Sequence, residues 1–322
     1  MGNRIETSRI ATGGDALSEY PELVEGVAAR VTAFYGELQS VLKIHTTEAP
    51  NYYHAYPFLF RDEFPSVSDA EASTLAVAGV LYLNHLCLLD DVVDTEGAPE
   101  PYKLFMSALL HEEALVQLGT PFAAASPFWV DLRGYHREFA AAMLREQTAH
   151  TGRLAAFTEA EVFEIAKGKA ALSKMTTAAL ALLANRPETI TKLSASQDCF
   201  NAARQMYDDV KDWREDYVNR RYSSLLTAAL LEMSGDEGSE GSIDMEALSR
   251  RLHYGGHIDH ALAKAGQWCD DAARHAVSYR LAGWSRLVQS LRAQVVRLRG
   301  DLARIRERTA GAEEFQSEVK AV

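Results

Sequence analysis

The chain has 322 residues, 47% of them hydrophobic, with only 9 Pro and 20 Gly set against long stretches rich in Ala, Leu and Glu. That is enough apolar material for one large domain or two small ones, and the balance favours an all-helical protein. A formal net charge of −12 argues against a general nucleic-acid binder.

Three cysteines, Cys87, Cys199 and Cys269, are odd in number and widely spaced. They read as reduced packing residues of a cytoplasmic protein, without a disulfide framework or zinc spacing. MGNRIETSRIATGGD at the N-terminus has no apolar core and does not read as a signal peptide. The most apolar stretch, Leu75 to Leu89, is interrupted by Asn84 and His85 and reads as short for a membrane span. A soluble protein is expected.

Residues 1–15 read as a flexible N-terminus. A helical pattern covers about Ala16 to Ile44, with Leu23, Val27, Val31, Phe34, Leu38 and Leu42 three or four apart. The aromatic connection Ala49–Pro65 follows, too rich in proline and rings for a plain helix. Ser68 with Glu71 makes a capping box that opens the next helix. Pro99 and Pro101 bracket a helix running to Gln117, and Ser126-Pro127 opens another. Thr158 with Glu161 is a second capping box, leading to about Leu183. After the break at Asn185–Pro187, a helix is expected from near Glu188 to Asn219, and a shorter one over Ser223–Met233. Ser234–Asp244 reads as a surface loop. Two helices are expected over Asp259–Tyr279 and Ser285–Arg308. In the last, Val288, Leu291, Val295, Leu298, Leu302 and Ile305 form a heptad seam, either a packing face or a dimer contact. With no internal repeat, 16–310 reads as a single domain and 311–322 as a flexible tail.

Two acidic stretches carry chemistry. LCLLDDVVDTE (Leu86–Glu96) ends an apolar helical run in Asp90, Asp91 and Asp94. Asp90 and Asp94 stack one turn apart. Such carboxylates repel one another unless a cation sits among them. Oxygen-only donors suit Mg²⁺, which takes one or two carboxylates, several waters and a substrate phosphate. Far along the chain, QMYDDVKDWREDYVNRRYS (Gln205–Ser223) places Asp208, Asp212 and Asp216 on one helix face, with Asp209 beside them. Two such helices facing across a cavity would hold a small, highly charged anion through Mg²⁺, and diphosphate is the natural candidate. No GxSxG elbow, Gly-rich phosphate loop or HExxH points elsewhere.

Over roughly residues 60–230 the sequence resembles the class I isoprenoid synthases, which include trans-prenyl diphosphate synthases and class I terpene synthases. Asp90, Asp91 and Asp94 match the first DDxxD motif; Asp208, Asp209 and Asp212 match the second. Gln205 matches the Gln of the FQxxDD form. Asp208, Asp212 and Asp216 also stand at the spacing of the metal ligands in the cyclase NDxxSxxxE motif. NRRYSSLL and KGKAAL resemble the segments that supply basic diphosphate contacts, pointing to Arg220 or Arg221 and to Lys167 or Lys169. The resemblance implies an all-α bundle with a deep central cavity and three Mg²⁺ ions at its mouth. It further implies a prenyl diphosphate substrate ionised to a carbocation. It and the C-terminal seam lean towards a homodimer.

The departures shape the functional expectation. Elongating enzymes follow the first motif with arginines, whereas here TEGAPEPYK follows, and Arg61 is the sole basic residue of the aromatic connection. Two diphosphates in one low-dielectric site need more positive charge than that. A one-substrate reaction is therefore expected: a terpene cyclase, a lyase acting on a C15 or C20 diphosphate. Chain elongation with isopentenyl diphosphate and squalene-type condensation remain as alternatives, and a helical module with purely structural acid clusters is a third reading. A cyclase cavity must be apolar, with aromatic faces for a migrating cation. Gly79, Tyr82, Leu83, Leu86 and Cys87 on the first acidic helix, with Phe200 and Tyr207 on the second, are the expected lining. His85 reads as a packed or partner-bonded histidine.

Overall fold

The computed structural model describes residues 19–42, 51–94, 100–149, 154–234 and 244–309. Of these, 85% are helical and none lies in a strand. The expected N-terminal segment 1–15, most of the Ser234–Asp244 loop and the 311–322 tail fall outside them.

The α-helices in chain order are α1 (Pro21–Leu42), α2 (Asp69–Asp94), α3 (Pro101–Gly119), α4 (Phe128–Ala149), α5 (Glu159–Lys169), α6 (Lys174–Leu183), α7 (Ile190–Val218), α8 (Ser224–Ser234), α9 (Met245–Tyr254), α10 (His257–Ala276) and α11 (Ala282–Thr309). They fall into two compact units. Among the described residues, the first takes those up to 134 with 172–193 and 278–287, and the second takes 135–171, 194–277 and those from 288 on.

In the first unit the core is the α2–α3 pair. Met106, Leu110, Ala114 and Leu118, four residues apart on α3, are fully buried, as are Leu75, Leu81 and Leu88 on α2. Each such leucine contributes about 1.5–3 kcal/mol of burial. Both nitrogen and side-chain bonds of the expected capping box start α2: Glu71 N donates to Ser68 Oγ (3.2 Å) and Ser68 N to Glu71 Oε2 (2.9 Å). The aromatic connection forms two 3₁₀ helices, Tyr52–His54 and Tyr56–Glu63. Their rings close on Trp284: Phe60 packs against it at 4.9 Å between centroids, tilted by 30°, and Tyr56 meets it edge-on at 6.0 Å. Gly283 permits this, because a Cβ there would stand 3.0 Å from Leu59 Cα.

The α2 helix does not stop at Asn84 and His85. Asn84 Nδ2 donates to Tyr35 Oη at 2.8 Å, and His85 Nδ1 lies 2.7 Å from Ser107 Oγ. Both polar side chains thus find hydrogen-bond partners inside the unit, and the apolar run is longer than the sequence reading allowed. Over Asp69–Val93 it is long and apolar enough to cross a membrane by length and composition alone, and more than half of its most apolar window is buried against the protein itself.

In the second unit α10 buries Ile258, Ala261, Leu262, Ala265, Trp268, Cys269 and Ala272, the three-four pattern of an amphipathic helix. The heptad residues Val288, Leu291, Val295, Leu298, Leu302 and Ile305 of α11 are all buried. The seam is thus a packing face of the chain.

Two boundaries differ from expectation. The stretch led by Thr158 is two helices, broken by a 3₁₀ turn at Ala171–Ser173 without any proline. A close approach precedes the break: a Cβ on Gly168 would meet Ala142 Cβ at 2.5 Å. The helix α9, started by Asp244 accepting from Ala247 N at 3.0 Å, has no counterpart in the sequence reading. Gly255 and Gly256, the latter at φ 84°, separate it from α10.

Candidate functional site

The two groups of aspartates lie in different units, and each has its own setting. In the first unit, α2 carries Asp90 half-buried and Asp91 exposed, and ends at Asp94. Lys103 of α3 reaches back to this end. Its Nζ stands 3.2 Å from Asp91 Oδ2 and 3.5 Å from Glu100 Oε2. Below, Tyr82 is fully buried with its Oη 3.1 Å from His111 Nε2, and burial pushes the phenol far above its ordinary range, so it stays neutral. The His85 and His111 rings stack 4.7 Å apart. Leu83, Leu86 and Cys87 are half-buried, and Gly79 faces Thr176 Oγ1 of α6, which an added Cβ would meet at 3.9 Å.

In the second unit, α7 carries Asp208 half-buried, Asp209 buried, Asp212 exposed and Asp216 half-buried. Asp208 Oδ2 pairs with Arg204 Nη1 at 3.3 Å, one turn earlier. Gln205 Nε2 donates to Asp209 Oδ1 at 2.8 Å. Burial pushes both carboxyls up, Asp208 despite Arg204 and Lys211, and Asp209 to about 8 despite the Gln205 bond and Lys169. Phe200 is buried, and Tyr207 is half-buried with Lys211 Nζ 5.5 Å from its ring. On α5, Gly168 brings the backbone against α4. Lys167 pairs with Glu164 at 2.9 Å and Lys169 with Glu146 at 2.7 Å.

These carboxylates fit a hard cation. Among the described residues no group of three or more His, Cys, Asp and Glu forms a ready cage. The donors are oxygens only, which suits a metal that keeps waters and takes substrate oxygens as further ligands. A nearby cation would also favour the charged forms of Asp208 and Asp209, which burial now disfavours.

The Asp209 shift has a measurable consequence. Its folded-state value lies above the unfolded one, near 3.9. Between about pH 4 and 8 the metal-free native state therefore holds a proton that the unfolded chain has released, and stability falls as pH rises through that window. Urea denaturation at pH 5 to 8 should show this slope, at most about 1.4 kcal/mol per pH unit from this group. Asp209→Asn should flatten it; an unchanged slope would mean that Asp209 titrates normally.

The turn after α7 holds a second feature. Arg221 N donates to Asp216 O (2.8 Å) and Arg220 N to Tyr217 O (3.2 Å), which places Arg220 at φ 54°, the left-handed position that usually takes Gly. The end of α6 repeats the arrangement with Asn185 at φ 55°, a residue that tolerates it. Arginine has no such local compensation. Arg220→Gly is expected to stabilise the fold by about 1 kcal/mol and to weaken diphosphate binding, read by thermal melting and by calorimetry. A loss of stability would remove the strain argument.

Lys103 and Arg204, which pair with Asp91 and Asp208, have no role in the motif-based reading. Arg204 could have been found, because it stands one helical turn before Asp208. Lys103 could not, since only the packing of α3 on α2 brings it to Asp91.

No family model matches the sequence, and no curated protein matches it. Solved structures do. The chain is similar to a decaprenyl diphosphate synthase from Rhodobacter capsulatus, at 16% identity over 89% of this chain and 98% of that one, with a TM-score of 0.67. It is similar to a geranylgeranyl pyrophosphate synthetase from the archaeon Geoglobus acetivorans, at 16% identity over 84% and 98%, with a TM-score of 0.67. A polyprenyl synthase from Caulobacter crescentus, complexed with calcium and isoprenyl diphosphate, matches at 18% identity over 76% and 82%, with a TM-score of 0.59.

These neighbours are named for chain elongation, and they overturn the expectation of a one-substrate terpene cyclase and lyase. That expectation rested on missing arginines. The charge count behind it omitted Lys103 and Arg204, which tertiary packing and helical register place beside the acids. The all-helical architecture has the fold of these prenyl diphosphate synthases.

Proposed function

We propose that the chain is a prenyltransferase of the trans-prenyl diphosphate synthase type, a cytoplasmic enzyme that joins an allylic prenyl diphosphate to isopentenyl diphosphate. One observation carries the reading: carboxylate-bearing helices α2 and α7 occur on a fold whose solved neighbours are polyprenyl and geranylgeranyl diphosphate synthases. In the reaction the allylic carbon–oxygen bond breaks, a new carbon–carbon bond forms to the isopentenyl unit, and diphosphate and a proton leave. Mg²⁺, three ions in this reading, neutralises the diphosphate oxygens and makes them a good leaving group when bound.

The chain's own residues take the following roles. Asp90, Asp91 and Asp94 in the first unit, and Asp208, Asp209, Asp212 and Asp216 in the second, would supply the oxygen ligands of the metal. Gln205 orients Asp209 through its 2.8 Å hydrogen bond. Lys167, Lys169, Arg220 and Arg221 contact diphosphate oxygens, with Lys167 and Lys169 leaving Glu164 and Glu146 to do so. Gly79, Leu83, Leu86 and Cys87 on α2, and Phe200 and Tyr207 on α7, would meet the prenyl tail, while Tyr82 supports the α2 residues from the core of the first unit.

The test is an incubation of purified protein with Mg²⁺ and the C10, C15 and C20 allylic diphosphates in turn, with and without isopentenyl diphosphate. Products are read by gas chromatography–mass spectrometry after phosphatase treatment. A longer prenyl alcohol that appears only with isopentenyl diphosphate is expected. Consumption of an allylic substrate without isopentenyl diphosphate, or of neither, would overturn the assignment.

A further inference from the structure

Lys103 occupies an unfavourable place. It is the third residue of α3, in the first turn, where the helix dipole disfavours a cation. Its side chain is only 18% exposed, and that burial also works against the charged form. Yet the ammonium is held between two carboxylates, those of Asp91 and Glu100. Of the two acids, Asp91 is nearer, at 3.2 Å against 3.5 Å, and Asp91 lies in the first acid group.

A cation at Asp91 competes with any metal that arrives alone, because both would draw on the one negative charge of that carboxylate. A diphosphate changes the balance. It brings the metal further oxygens and gives the displaced ammonium a new anion within reach of its flexible stem. We propose that Lys103 is an internal counter-ion of Asp91 that transfers to diphosphate when metal binds, so that metal and diphosphate binding depend on each other. The inference rests on the proposed function, and assigns to Lys103 a positioning role that none of the motifs supplies.

The experiment is isothermal titration calorimetry of Mn²⁺ binding with and without inorganic diphosphate, with the metal–diphosphate complex in solution included in the fit. Wild type, Lys103→Met, Lys103→Gln and Lys103→Arg are compared, with thermal melts to establish that each is folded. In the Met and Gln variants, affinity for Mn²⁺ alone should rise about tenfold, and the gain in affinity brought by diphosphate should shrink about tenfold, within the usual range of coupling between sites. Lys103→Arg should retain the wild-type coupling. A purely structural lysine would move neither quantity, and variants whose metal affinity and coupling both equal those of wild type would overturn the role of Lys103 alone. A wild-type protein that binds no metal in the presence of diphosphate would overturn the proposed function, and this inference with it.

Discussion

Asp90→Ala and Asp208→Ala are each expected to lower kcat by roughly 100- to 1,000-fold, the scale seen when one preorganised electrostatic contact is removed. The melting temperature of the metal-free protein should meanwhile stay within about 5 °C of wild type. The two halves of the result have separate causes. Neither side chain holds the fold together: Asp90 sits half-buried on the last turns of α2, and Asp208 has its ion pair with Arg204 in the same helix. Burial disfavours the charged form of Asp208, so its removal relieves a cost in the metal-free state. The same carboxylate is needed in its charged form when a metal binds. Steady-state kinetics with saturating Mg²⁺ and both diphosphates, alongside thermal melts, separates the effects. A variant of either kind with wild-type turnover would remove that aspartate from the metal site.

A second large effect is expected far from the acids. Glu63→Ala should lower the melting temperature by roughly 5–10 °C, the loss expected when the hydrogen bonds of a buried carboxylate are removed in a protein of this size. Glu63 is buried and joins three segments of the first unit. Its Oε1 accepts from Arg186 Nη1 at 2.6 Å, and its Oε2 accepts from the Arg280 backbone N–H at 2.7 Å. The Glu63 carbonyl takes a further bond from Arg186 Nη1 at 3.2 Å. Truncation leaves the part-buried Arg280 N–H without its acceptor, and a donor that loses its partner costs more the less water can reach it. Glu63→Gln keeps one acceptor oxygen and should lose less. Differential scanning calorimetry of both variants checks the order; equal, small shifts would mean that water replaces the carboxylate.

The helices were legible because their signals are local. The Ser68–Glu71 and Thr158–Glu161 capping boxes form as the sequence indicates. The α11 seam reads directly as a buried stripe, although spacing alone could not say whether the chain or a second copy covers it. The 3₁₀ break after Lys169 was not legible, since no proline or turn residue marks it and the close approach at Gly168 depends on α4. Nor was α9, whose short apolar pattern follows an acidic, glycine-rich stretch.

For function, the sequence by itself determined the fold class and the two carboxylate stripes, because helix periodicity and aspartate spacing are properties of neighbouring residues. It also pointed to an oxygen-ligated cation and a diphosphate. The choice between one substrate and two turned on a count of positive charge, and that count is not local. The packing of α3 on α2 brings Lys103 to Asp91, and burial of α7 raises the Asp209 carboxyl to about 8. Charge, unlike periodicity, acts through space, and only the tertiary structure decides which charges share it.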